Sequence, residues 1–131
     1  MMNLLLDTHV LVWWLLDSKR IGQAARRAML RPGAALFISA ASVWEISIKS
    51  GTGRLKLKEP PEKCVPSLFE NGFLPLPVNV QHSLAVRTLP PHHNDPFDRM
   101  LIAQAQCEDL VLMTADSAIT AYDVRTMDAS E

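Results

Sequence analysis

Two short runs in this chain, LLL at residues 4–6 and LVLM at 110–113, are apolar at every position, and ALFI at 35–38 repeats the pattern. A strand with one face in water alternates apolar and polar residues. Strands apolar on both faces belong instead to parallel sheets covered on both sides. Between these runs the sequence turns helical. Residues 8–16 are apolar all round, as in a buried helix opened by Asp7 or Thr8. In RIGQAARRAMLR (20–31), Ile21, Ala24, Ala25, Ala28 and Met29 share one face, and Pro32-Gly33 ends the helix. Ser39 caps a helix running to about Lys49 and closed by Gly51, and Pro60-Pro61 opens another. Pro66 should kink or break that helix before Asn71-Gly72 stops it.

Residues 73–78 (FLPLPV) suit a short edge strand, because their prolines cannot donate to a central ladder. Residues 79–89 read as a helix, and PPHHND after them as a loop. A helix from Pro96 to about Cys107 has Asp95 as its cap; 115–122 is a short helix and 124–127 a final strand. This order gives an α/β fold: a doubly wound parallel sheet of about four to five strands with helices on both faces. Ligands of such sheets collect beyond the carboxyl ends of the strands, where strand order reverses. The residues just after each strand therefore carry the first functional expectation.

Composition narrows the function classes. A length of 131 residues fits one domain over residues 1–131. With 13 Lys+Arg against 14 Asp+Glu, the chain cannot coat nucleic acid by sheer positive charge, so any grip on a polyanion is local or helped by cations. Cys64 and Cys107 are too few for a disulfide scaffold and lack metal-ligand spacing, which fits a reducing, cytoplasmic compartment. The apolar N-terminus has no Lys or Arg ahead of it and is interrupted by Asp7 and His9, unlike a signal peptide, and no stretch is long enough to span a membrane.

Asp7 follows the first apolar run and Asp116 follows LVLMTA, so both lie at the carboxyl edge of the sheet. Asp95 and Asp98 open the PFDRMLIAQAQ helix, and Glu45 shares a polar strip with Ser42 and Lys49 on an otherwise apolar helix. Each acid also has a plain structural reading. Asp7, Asp95 and Asp116 suit helix caps, each worth about 1 kcal/mol, and Glu45 suits an i,i+4 pair with Lys49. Together they mean more. Two like charges ~4 Å apart cost about 4 kcal/mol at an effective dielectric of ~20, and protons or cations must relieve that. Oxygen-only ligands select hard divalent ions, Mg²⁺ or Mn²⁺ rather than Zn²⁺.

The blocks LLLDTHVLVWWL, SAASVWEISIKSGTGRLKL and HHNDPFDRMLIAQAQ followed by LVLMTAD cover nearly the whole chain. In them the sequence resembles PIN-domain ribonucleases, specifically the VapC-type toxins of toxin–antitoxin pairs. The resemblance implies a PIN-like fold and a catalytic, metal-holding quartet of Asp7, Glu45, Asp98 and Asp116. Thr8 and Thr114 would support the quartet by hydrogen bonding, and Asp95 would act as a cap or supporting group. It further implies Mg²⁺ (or Mn²⁺), a homodimer, a small antitoxin partner, and hydrolysis of structured RNA such as tRNA or rRNA. Metal-activated water would leave 5′-phosphate and 3′-hydroxyl ends. The chain departs from the pattern at Asn94, where similar toxins often carry a basic residue.

Lys49, Arg54, Lys56, Lys58 and Arg99 are the candidates for phosphate contacts, with a charged edge or loop as the plain reading of GRLKLK. His92-His93 suits either a metal or phosphate contact or a solvated pair, and Trp13, Trp14 and Trp44 suit packing better than base stacking. Two alternatives remain at this level. A receiver-type phosphoacceptor domain also gathers acids and Mg²⁺ on a doubly wound sheet, but needs an Asp after a central strand and a late Lys; none follows LFIS, and no Lys follows Lys63. A PIN-like RNA-binding module with idle acids is the other.

Overall fold

The computed structural model describes residues 2–131. It contains a five-stranded, wholly parallel sheet in the order β3-β2-β1-β4-β5. The strands are β1 (Asn3–Leu6), β2 (Ala35–Ser39), β3 (Leu74–Leu76), β4 (Val111–Thr114) and β5 (Thr126–Asp128). The helices are α1 (Thr8–Leu15), α2 (Gln23–Leu30), α3 (Ala40–Gly51), α4 (Pro61–Glu70), α5 (Val80–Ala85) and α6 (Pro96–Glu108). Burial explains why the central strands are apolar throughout. Leu4 and Leu6 of β1 and Val111 and Met113 of β4 pack into one core with Val10, Leu11, Ala25, Met29, Ile46 and Leu68. Leu5 and Leu112 point the other way and meet Leu101, Ile102 and Ala105 of α6. Among the described residues, no helix is long and apolar enough to cross a membrane.

Sequence order reverses at β1, which has β2 on one side and β4 on the other. That switch point places Asp7 and residues 114–116 at the same edge of the sheet.

Several element boundaries differ from the pattern-based expectation. The helix expected from residue 20 begins at Gln23, because the chain's last residues pack against Gly22. A Cβ there would collide with the Glu131 carbonyl, while Gly22 N–H donates to Ala129 O and Ala25 N–H to Glu131 O. These carbonyls satisfy N–H groups that a longer helix would have used. Helix α4 runs unbroken through Pro66, which is exposed, so water can meet the carbonyl its missing N–H leaves free. The helix expected over 79–89 becomes α5 followed by a 3₁₀ turn, Val86–Thr88. The one expected over 115–122 shrinks to a 3₁₀ turn, Ile119–Ala121, because Asp116 captures the Ala118 N–H with its side chain and competes with helical bonding. FLPLPV contributes only Leu74–Leu76, at the sheet edge.

Candidate active site

Asp7 sits immediately after β1, and its N–H donates to the Met113 carbonyl of β4 at 2.9 Å. It occupies the N-cap position of α1, yet its carboxylate makes no capping bond. Oδ2 instead accepts from the Thr114 hydroxyl at 2.8 Å, and the buried Oδ1 has no partner. Burial, with Asp116 adding to it, pushes this carboxyl above the ordinary range against the opposing pull of Thr114, His9 and the Thr8 amide. The cap reading of Asp7 thus gives way to a carboxylate held inward at 1% exposure.

Asp98, in the first turn of α6, is also buried. Burial first, then the charges of Asp7, Asp95 and Glu45, push its carboxyl up to about 7 despite the opposing effect of His93. Asp95 is the true cap of this helix, accepting from the Phe97 and Asp98 N–H groups at 2.8 and 3.2 Å. Asp116 behaves oppositely to Asp98. Burial works to raise it, but the Ala118 N–H and the His93 ring together hold it below the usual carboxylate range. Its own N–H donates to Thr114 Oγ1 at 3.0 Å, so Thr114 fastens both Asp7 and Asp116.

Glu45 projects from α3 and is 3% exposed. Oε2 pairs with Lys49 Nζ at 2.6 Å, a bond that raises the lysine against the effect of its burial. Oε1 is buried and unpartnered. The i,i+4 pair expected from sequence therefore exists, but it satisfies only half of the carboxylate.

One ring links the acids. His93 Nε2 bonds Asp116 Oδ2 at 2.9 Å and lies 3.0 Å from Asp98 Oδ2. Burial lowers the ring's proton affinity, but the Asp116 bond and the charges of Asp98, Asp116 and Asp95 more than compensate, leaving it raised. Ligand atoms of His93, Asp98 and Asp116 lie within 4.8 Å of one another; Asp7 and Glu45 fall outside that close group, although the charges of both are felt at Asp98. Of the His92-His93 pair only His93 turns inward, while His92 packs edge-on against Tyr122 with centroids 5.0 Å apart. Tyr122, whose hydroxyl accepts from His93 N–H across 29 residues, carries no local sequence signal.

Other expected contributors are placed differently. The Thr8 hydroxyl donates to Ser42 Oγ at 2.9 Å, tying α1 to α3 rather than touching an acid. Arg99, expected to contact phosphate, instead donates to the carbonyls of Val86, Leu89, Pro90 and His93 and to the Tyr122 hydroxyl. Its fork is consumed in closing the loop before α6. Arg54, Lys56 and Lys58 are exposed beyond α3. Trp13 and Trp14 pack against the core as expected, whereas Trp44 is 64% exposed with one edge against Phe97.

The chemistry of this set fits a divalent cation. Two buried carboxylate oxygens lack any donor, and a third acid, Asp98, is driven toward neutrality by burial and then by the charges of its neighbours. Unpartnered buried oxygen is costly, and a hard cation is the partner such oxygens accept.

The family model described as PIN domain matches residues 4–125. Among curated proteins none is matched by this sequence. Solved structures with the same fold include the VapBC2 complex of Rickettsia felis bound to a promoter DNA fragment, with a TM-score of 0.72 and 14% identity over 96% of this chain and 98% of that one. DNA-bound VapBC from Salmonella typhimurium gives 0.70 and 17% over 98% of each chain. VapBC-1 from nontypeable Haemophilus influenzae gives 0.66 and 23% over 99% of this chain and 100% of that one. The family match replaces the receiver-type alternative.

Proposed function

The chain belongs to the PIN-domain family, and on that premise we propose that it is a divalent-metal-dependent endoribonuclease, the toxin of a toxin–antitoxin pair. The observation that carries the reading is the deficit of positive charge at the carboxyl edge: unpartnered Asp7 Oδ1 and Glu45 Oε1 beside an Asp98 pushed up to about 7. Asp7, Asp98 and Asp116 would hold the cation, Mg²⁺ or Mn²⁺, with Glu45 completing the quartet. When bound, the ion supplies Lewis acidity and a nucleophilic water for phosphodiester hydrolysis, leaving 5′-phosphate and 3′-hydroxyl ends.

The protein's own groups set the stage. Thr114 orients Asp7 and, through the Asp116 amide, the turn that carries Asp116. Asp95 fixes the first turn of α6 and so aims Asp98. Lys49, beside the acids, and the exposed Arg54 supply positive charge for phosphates of a structured RNA such as a tRNA or rRNA loop. Two separate surfaces suit two protein partners in the cytoplasm. One is a groove of about 690 Å³ of mixed polarity, bordered by Trp14, Leu30 and Phe73 together with Glu59, Ser67 and Asn71; the other is an apolar face with Trp44, Val78, Phe97 and Met100. A cognate antitoxin and a second copy of the chain would account for both, with residues 1–131 acting as one domain.

Incubation of the purified protein with labelled single-stranded and tRNA substrates tests the reading. Cleavage should need Mg²⁺ or Mn²⁺, stop with chelator, leave 3′-hydroxyl ends, and fall at least about 100-fold in Asp7→Asn and Asp98→Asn. Undiminished cleavage by both variants, or cleavage in excess chelator, would refute it.

A further inference from the structure

His93 is fastened from several directions. Its Nδ1 accepts the Asp95 N–H at 3.0 Å, its own N–H donates to the Tyr122 hydroxyl at 2.9 Å, and its carbonyl accepts from Arg99 at 3.4 Å. Arg99 also donates to Tyr122 and to the carbonyls of Val86, Leu89 and Pro90, locking the loop onto the start of α6. This lattice delivers one atom, Nε2, to a point 2.9 Å from Asp116 Oδ2 and 3.0 Å from Asp98 Oδ2. Three ligand atoms so close would ordinarily suggest a His-Asp-Asp metal site. The far side of the ring argues otherwise. Because Nδ1 accepts an N–H, the tautomer assigned from that bond carries the ring proton on Nε2. Nε2 is therefore a donor aimed at carboxylates, with no lone pair for a cation. A second proton would sit on Nδ1 and give up the Asp95 bond, so the bonded ring is the one that carries its single proton on Nε2.

We propose that His93 is a displaceable plug of the cation site. Its Nε2–H occupies the space between Asp98 and Asp116, and it must release them for a divalent cation to take both. Tyr122 and Arg99 are the positioning residues that hold the plug in place. This rests on the acids being a cation site and adds what the site contains before loading: a resident donor that lets like charges sit together and lowers the affinity for the ion. The unpartnered oxygens of Asp7 and Glu45 point the same way, since the plug serves Asp98 and Asp116 and leaves one buried oxygen on each of the other two acids without a donor.

Calorimetric titration of Mn²⁺ into the purified full chain, with thermal melts as the folding control, tests the plug. Loss of a hydrogen bond to a charged group should tighten Mn²⁺ binding about tenfold in His93→Ala. Tyr122→Phe, which keeps the ring and removes one tether, should tighten it about threefold. In a His93→Ala background the Tyr122→Phe change should have no further effect, a non-additivity that a purely structural tyrosine would not produce. Weaker binding in His93→Ala would make His93 a ligand, and unchanged affinity in both single variants would make it a bystander; either overturns the plug. Should His93→Ala fail to fold, Tyr122→Phe alone decides by the direction of its change. Mn²⁺ binding absent from every protein would sink the cation site itself, an outcome distinct from wild-type binding that His93→Ala and Tyr122→Phe leave unmoved.

Discussion

His82 and His93 each accept a backbone N–H at Nδ1, from Asn79 and Asp95 respectively, and each turns Nε2 toward acid. At His82 the acid is Glu108, 3.0 Å away and 40% exposed, so water shares in satisfying it. The ring completes a capping box on α5 and stitches α5 to α6. At His93 the ring meets two carboxylates, with Asp7 and Glu45 beyond them holding buried oxygens that nothing satisfies. The local device is the same in both places. The difference lies in the supply of negative charge: one acid open to water gives a structural clasp, whereas several acids turned inward leave a demand that only a proton or a cation meets.

The contrast is sharpest in cleavage. Asp98→Asn should lower metal-dependent RNA cleavage by at least about 100-fold, whereas Glu108→Gln, at the clasp, should stay within about twofold of wild type in the same assay. Stability should respond in the reverse sense. His82→Ala removes a buried ring and its cap and should cost about 2–3 kcal/mol in denaturant unfolding. Asp98→Asn relieves crowded charge and should stabilise the cation-free protein above neutral pH. A destabilised Asp98→Asn would put Asp98 on the clasp's side of the comparison.

Acidity offers a finer separation. The folded Asp98 carboxyl keeps its proton up to about 7, whereas the ordinary value is 3.8, so between these the folded state binds the extra proton. Its contribution to stability is complete below about pH 3.8 and is lost as pH rises through about 7, on the order of a few kcal/mol. Melts of the cation-free protein should show this decline, and Asp98→Asn should remove that part of it. Cation affinity should run the other way, rising with pH as Asp98 ionises. The smallest effect expected is a few-fold loss of RNA affinity in Lys49→Met, measured at low salt, where a single phosphate contact is still visible.

Much of this was legible in the sequence because it depends on short-range pattern. Apolar runs on both strand faces marked the parallel sheet, and Asp7 and Asp116, just after those runs, marked the edge where the acids gather. Asp95 and Ser39 cap α6 and α3 as their positions suggest. What escaped pattern reading depends on contacts between distant segments. The start of α2 is set by residues 129–131, about a hundred positions away. Arg99 reads as a phosphate ligand until the carbonyls of residues 86–93 are seen to converge on it. His93 and His92 are indistinguishable as neighbours in a loop; the Tyr122 hydroxyl, 29 residues on, helps decide which one turns toward the acids.

The central claim is that the crowded carboxylates at the switch point exist to hold a hard cation. Diffraction from crystals grown with Mn²⁺, collected at a wavelength where manganese scatters anomalously, tests it most directly. The account predicts a peak within about 2.0–2.6 Å of oxygens from Asp7, Asp98 and Asp116, with the His93 ring withdrawn from at least one of its two acids. No peak at that edge, with Asp98 and Asp116 still sharing the imidazole at saturating Mn²⁺, would contradict it.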